Sequence, residues 1–190
     1  MARGGPASGE WANWAGDQVC RPARIAKPRN REELAETIAE AAAGGQRVRV
    51  AGSGHSFTEA VLTEGTMIDA GMLSGVLDAD RDSGLVRVGG GTVLGALNEE
   101  LARLGLAMEN LGDIDSQTIS GAISTGTHGT GVRLRNISAQ VEGLELVLGD
   151  GSVRHLSAET HPELLRAARS SSGSVAALRW RTLPSARTSS

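Results

Sequence analysis

Arg47-Val48-Arg49-Val50-Ala51-Gly52-Ser53-Gly54-His55-Ser56-Phe57 is the stretch whose reading decides the fold. Apolar and polar residues alternate through Ala51 with the period of a half-buried strand. Glycines follow at once. A strand that ends in Gly-Ser-Gly presents bare backbone N–H groups, and such a nest suits phosphate oxygens. His55 and Ser56 stand in the same turn, within reach of whatever the phosphates carry. Read alone, the loop is either a tight turn or a phosphate nest, because an isolated glycine motif is a weak signal.

A second loop of the same kind lies downstream. Thr118-Ile119-Ser120-Gly121-Ala122-Ile123-Ser124-Thr125-Gly126-Thr127-His128-Gly129-Thr130-Gly131 mixes small hydroxyl residues with glycines and holds only two large apolar side chains. Thr118 suits the cap of a short helix whose first N–H groups point at an anion. Ile119 and Ile123, four residues apart, predict one buried face. Gly126, Gly129 and Gly131 would let backbone lie flat against a planar or phosphorylated ligand. A long solvated loop is the alternative, but long structureless loops are uncommon in compact domains.

Working outward, residues 1–16 read as a ragged glycine-rich lead, although Trp11 and Trp14 need something to pack on. Asn30 with Glu33 three residues on predicts a capping box, followed by Leu34, Ile38 and Ala42 at helical spacing and closed by Gly44-Gly45. With the strand at 47–51 and a second at Thr66-Met67-Ile68-Asp69, this makes a small βαβ-like first lobe. Leu85-Val86-Arg87-Val88 alternates as a strand, and Thr92 is placed to cap a helix through Leu94, Leu97, Leu101 and Leu104 that ends at Gly105. Asn110 to Asp115 is a polar loop. Val141 to Leu148 and Ser152 to Leu156 flank Asp150-Gly151, a strong hairpin signal. Thr160 and Pro162 open a last helix over Glu163 to Arg169. There is no internal repeat, and the serine-rich segments 170–174 and 186–190 predict poor order at the end.

Composition bounds the function. The chain of 190 residues is 39% apolar, enough for one packed core, and its net charge of −3 is spread without a basic face. Nucleic acid is therefore an unsuitable partner. The single cysteine, Cys20, excludes an internal disulfide and any multi-thiolate metal site. No signal-peptide core or membrane span is visible, which predicts a cytoplasmic protein. With 26 glycines, three tryptophans, one phenylalanine and no tyrosine, the sequence favours close backbone approach over aromatic packing. A GC-rich coding sequence accounts for part of that bias.

Other phosphate and hydrolase chemistries fail on their own requirements. A dinucleotide fingerprint needs a third glycine where Phe57 stands and a helix directly after it. A Walker A loop needs Gly-Lys-Ser/Thr, yet the sole lysine is Lys27, between Ala26 and Pro28. No His-Glu-x-x-His or Gly-x-Ser-x-Gly occurs, and His155 and His161 lack metal-ligand spacing. His155 falls on the outward phase of the hairpin.

The two loops together, with Asn110-Leu111-Gly112-Asp113-Ile114 between them, closely resemble the sugar-1,4-lactone oxidases and alditol oxidases of the vanillyl-alcohol-oxidase superfamily. The likeness spans Trp14 to Arg169. It implies an α+β fold: a PCMH-type FAD-binding domain over 17–184, with FAD between lobes at about 17–76 and 77–184 and a disordered tail at 185–190. The first lobe would carry a small mixed sheet and the second a larger sheet flanked by helices. The resemblance implies that Gly52, Ser53, Gly54 and Ser56 hold the pyrophosphate, with His55 beside the isoalloxazine. It assigns FAD contacts to Asp113, Thr118, Gly121, Thr125, Gly126, Thr127 and His128; Asp113 departs from the serine of some relatives. In the family the histidine matching His55 commonly carries the flavin through its 8α-methyl carbon, and in some members only hydrogen-bonds to it. The implied function is hydride transfer from a CH–OH group of a sugar-1,4-lactone or alditol to flavin N5, with oxygen or an electron carrier as acceptor. No catalytic residue and no metal ligand is assigned within these 190 residues. The family's acid, base and arginine groups belong to a C-terminal substrate domain, which is expected to be mostly absent here. Ser170 to Ser174 and Val175 to Arg181 also stand where the family has a Gly-Ala-Leu-Gly-like turn into an apolar strand. That departure predicts a lost wall of the FAD site and an uncovered apolar face. The alternatives are a catalytically inactive truncated flavin-binding fragment and a non-flavin sugar-phosphate binder.

Overall fold

The computed structural model describes residues 9–169 and 174–184, excepting the side chains of Ser174 and Arg179. The expected serine-rich break at 170–173, the tail at 185–190 and the first eight residues of the expected lead lie outside them. In chain order the strands and helices are β1 (Trp11–Ala12), β2 (Val19–Cys20), β3 (Arg24–Ala26), α1 (Arg31–Ala43), β4 (Val48–Ala51), β5 (Thr66–Asp69), β6 (Val76–Asp80), β7 (Leu85–Gly89) and α2 (Leu94–Arg103). There follow β8 (Leu106–Ala107), α3 (Ile119–Ser124), β9 (Val141–Val147), β10 (Val153–Ser157), α4 (Pro162–Ala168), β11 (Ser174–Arg181) and β12 (Leu183–Pro184).

The first lobe is built as its sequence predicts, with local corrections. Asn30 Oδ1 accepts from the Glu33 N–H at 2.8 Å, but the Glu33 carboxylate returns to the Arg29 N–H at 2.9 Å and not to that of Asn30. Arg29 also hydrogen-bonds Glu33 through its guanidinium, which holds that carboxyl below its ordinary pKa. Gly44 and Gly45 close α1 by donating to Glu40 O and Ala42 O. Ala41 takes the buried place expected of Ala42, which is exposed. The small sheet runs β3-β5-β4 with both pairings parallel, so it is not mixed. Parallel strands require crossovers: α1 carries the chain from β3 to β4 on opposite edges, and residues 52–65 carry it from β4 back to the central β5.

The larger sheet, order β10-β9-β11-β7-β6, is antiparallel throughout. Its hairpin at Asp150-Gly151 forms as expected: Leu148 N donates to Ser152 O, and the Asp150 carboxylate accepts from Ser152. Strand β11 supplies the apolar strand that the departure at 170–174 put in doubt. Val175, Ala176, Ala177, Leu178 and Trp180 are buried, and the strand fills the middle of the sheet between β9 and β7. Alternation of Val, Ala and Leu with larger residues serves a two-sided central strand, whatever turn precedes it.

Two clusters form a continuous core. Leu94, Leu97 and Leu101 of α2 pack with Ile119 and Ile123 of α3, Val86 and Val88 of β7, and Trp180. Each such side chain contributes about 1.5–3 kcal/mol on full burial. The second cluster joins Leu34, Ile38 and Ile68 of the first lobe to Val147 and Ala176 of the large sheet, so the lobes share a seam. Beside it, buried Glu145 lies 3.2 Å from Arg87, 3.6 Å from Arg31 and 3.5 Å from exposed His155. Among the described residues no helix is long and apolar enough to cross a membrane.

Candidate functional site

A cleft of about 440 Å³ opens where β4 ends against α3. Gly52, Ser53, Gly54, His55 and Ser56 form one wall, and Thr118, Gly121 and Thr125 the other. The two loops meet so tightly that a Cβ on Gly52 would lie 2.3 Å from Thr118 Oγ1. Glycine is the one residue type that permits this approach. Gly54 adopts φ +69°, a left-handed conformation that turns the chain back toward the ribbon β1–β2.

The two walls use their backbones differently. Among the described residues, the N–H groups of Ser53, Gly54, His55, Ser56 and Phe57 donate to no protein acceptor. Five adjacent N–H groups are thus available to an acceptor oxygen at the end of β4. The second loop corrects its expectation. Thr118 does cap α3, its Oγ1 accepting from Gly121 N at 3.3 Å. However, Ile119 N donates to Thr92 O at 2.8 Å and Ser120 N to Gly90 O at 3.1 Å. The first N–H groups of α3 are therefore spent on the glycine loop before α2 and do not point at an anion.

A related exchange displaces the expected cap of α2. Leu94 N donates to Gln117 O and Gly95 N to Asp115 O, so carbonyls just before the second loop close that helix. Thr92 is not its cap. Its hydroxyl donates to Gly89 O at 2.6 Å and accepts from Gly75 N at 2.9 Å, stapling the turn between β7 and α2. Ile119 and Ile123 are fully buried, as their spacing predicts, and pin α3 to the core.

The other residues that the resemblance named fall outside the cleft lining. Asp113 is exposed on its loop. His128 is exposed, with Nδ1 2.9 Å from Gly129 O. Thr127 lies behind the wall, linked to Gln117 Oε1 at 3.2 Å and to Thr125 Oγ1 at 3.2 Å. Gly126 ends the turn after α3 with φ +66°.

The lining also includes Gln117, Ser120 and Ser124, which the sequence reading passed over. They had a signal: Gln117, Ser120, Gly121, Ser124 and Thr125 recur at helical spacing opposite Ile119 and Ile123. Trp11 and Phe57 line the mouth, and Trp14 stacks on the His55 ring with centroids 5.3 Å apart and planes 24° apart. The N-terminal residues from Trp11 on are thus an ordered ribbon, with Trp11 paired to Cys20 and Ala12 to Val19.

A wall of free donors, a glycine contact that excludes any side chain, and a small-hydroxyl wall opposite fit a phosphate-bearing flavin nucleotide. The described residues hold no His/Cys/Asp/Glu cluster suited to a metal.

Comparison with known proteins follows the same line. The model of a family described as "FAD binding domain" matches residues 22–157. The chain is 52% identical over 147 residues to an L-gulono-1,4-lactone dehydrogenase of Mycobacterium tuberculosis, covering 77% of this chain and 34% of that protein. It is 34% identical over 160 residues to the L-gulonolactone oxidase of Mus musculus, covering 84% and 36%. The chain thus spans about a third of the length of the curated relatives it matches. A xylooligosaccharide oxidase from Myceliophthora thermophila C1 shares the fold with a TM-score of 0.81 at 23% identity, covering 91% of this chain and 38% of that one.

Proposed function

We propose, from the premise that this chain belongs to the FAD binding domain family, that it is the flavin-holding part of an oxidoreductase acting on CH–OH groups of sugar-1,4-lactones or alditols. The observation that carries the reading is the row of N–H groups at 53–57 without a protein acceptor, in a loop that lines one cleft together with the small hydroxyl residues of α3. Gly52, Ser53, Gly54 and Ser56 hold the pyrophosphate through main-chain donors. Thr118, Gly121 and Thr125 bound the cofactor from the α3 side, while Asp113, Gly126, Thr127 and His128, which lie outside the cleft lining, are assigned to FAD contacts by the family resemblance alone. The likeness to L-gulono-1,4-lactone enzymes supports the substrate class.

FAD, when bound, supplies the hydride acceptor. His55 is the residue we assign to anchor it. The imidazole of His55, which lines the cleft beside the 53–57 donors, would supply the nitrogen nucleophile for a covalent link to the flavin, a two-electron oxidation for which molecular oxygen would be the oxidant. Oxygen or another electron carrier likewise serves as acceptor in turnover.

Titrating the flavin-free chain with FAD, followed by flavin fluorescence, tests the first part. Saturable quenching is the expected result, and a colourless chain with no affinity for FAD overturns the reading. Anaerobic mixing of the loaded protein with L-gulono-1,4-lactone, D-arabinono-1,4-lactone or xylitol tests the second. Bleaching of the flavin's visible absorbance is expected with at least one of them, and no bleaching with any overturns the substrate class.

A further inference from the structure

We propose that the β1–β2 ribbon is a strap that positions His55, with Asn13 fixing the loop backbone and Trp14 setting the plane of the imidazole. The inference rests on the assignment of His55 as flavin anchor and adds residues to it.

The ribbon grips the loop at two points. Trp14 N donates to Gly54 O at 3.0 Å, and Asn13 Nδ2 donates to Ser56 O at 2.9 Å. These bonds bracket His55. Asn13 is buried at 6% exposure and its amide is saturated: Nδ2 also donates to Asp17 Oδ1, while Oδ1 accepts from Asp17 N and Gln18 N. A side chain so committed has one geometry, and it transmits that geometry to Ser56. The ribbon turn is itself closed by Asn13 N to Gln18 O and Gly16 N to Asn13 O.

The imidazole lacks the usual orienting partner. A histidine that acts as nucleophile or base is commonly fixed by a hydrogen bond to its second nitrogen. Among the described residues neither ring nitrogen of His55 has such a bond. Its orienting contact is the Trp14 ring at 5.3 Å, which in turn meets Phe57 edge-on at 6.3 Å and 84°. Trp14 is 67% exposed and Phe57 63%, so neither serves the core. A chain with three tryptophans, one phenylalanine and no tyrosine places Trp11, Trp14 and Phe57 around this one loop and only Trp180 in its core. Stacking leaves the ring edge, with both nitrogens, free to approach a carbon atom while the face is held.

The test uses the full chain and two independent readouts. In the flavin-free protein, the imidazole protons of His55, assigned by their loss in His55→Gln, are expected at upfield-shifted NMR positions from the Trp14 ring current. They should return to ordinary positions in Trp14→Leu and stay displaced in Trp14→Phe. In protein loaded with FAD, the rate at which flavin becomes acid-stable should fall about tenfold or more in Trp14→Leu and Asn13→Ala, with Trp14→Phe within about threefold of the parent. Equilibrium FAD affinity and thermal midpoint should change little in Trp14→Leu. Unshifted His55 protons in the parent overturn the stack. Shifted protons with an unaltered rate in Trp14→Leu overturn the positioning role. Flavin released by acid from the parent as fully as from His55→Gln overturns the anchor assignment, and the positioning role with it.

Discussion

The loops at 52–57 and 118–128 read alike, each mixing glycine, serine or threonine with a histidine, yet they do opposite work. The first leaves its N–H groups at 53–57 without a protein acceptor, available for the main-chain binding proposed above. In the second, Ile119 N and Ser120 N go to Thr92 and Gly90, and the carbonyls of Asp115 and Gln117 just before it close the start of α2, so the first turn of α3 meets the cleft with side chains. Their histidines diverge in the same sense. His55 is half-buried beneath Trp14, whereas His128 is exposed and turned to the carbonyl of Gly129. Within the cleft lining, free backbone donors distinguish the loop after β4 from the start of α3, even where composition is similar.

The sharpest way to break that contrast is a pair of substitutions. His55→Ala is expected to abolish acid-stable flavin completely, leaving reversible FAD binding, while His128→Ala keeps flavin in the acid pellet. Loss from both, or from neither, would erase the distinction. Next in size, Ile123→Ala should destabilise the chain by about 2–5 kcal/mol in urea unfolding, because Ile123 is fully buried between α3 and the core. A loss as small as that of a surface change would show that α3 is not pinned. Gly52→Ala tests the contact between the loops. Its new methyl meets Thr118 Oγ1, so FAD affinity should drop together with about 1–3 kcal/mol of stability. Unchanged affinity would mean the walls can part at no cost. Smallest, Thr118→Ala removes the cap of α3 at a cost of about 1 kcal/mol. Because it also clears space at Gly52, the double substitution with Gly52→Ala should cost less than the sum of the two. Strict additivity would show that the residues do not touch in solution.

Much of the scaffold is legible in local pattern. The Asn30 cap, the Gly44-Gly45 stop and the Asp150-Gly151 hairpin each depend on residues within a few positions of one another, and each forms where expected. The Ile119 and Ile123 spacing gave the buried face of α3 for the same reason. Thr92 misled because a threonine before a leucine-rich helix suits a cap, yet a carbonyl from Gln117 reached the helix start first. The strap was illegible, since nothing near Asn13 in the chain announces Ser56 as its partner. The polar stripe of α3 was legible and simply not followed to Ser120 and Ser124.

By itself the sequence determined α1, β4, β5, β7, α2, the β9–β10 hairpin and α4, the two loops, the single cysteine and the resemblance that led to FAD, because periodicity, capping and turn chemistry act over short spans of chain. Only the tertiary structure decided which loop keeps its donors free, that Val175 to Trp180 is the middle of a sheet, and that Trp14 holds His55. Those outcomes depend on where hydrogen-bond partners and ring faces meet after distant segments pack. A backbone N–H carries no mark in the sequence of the acceptor it will find.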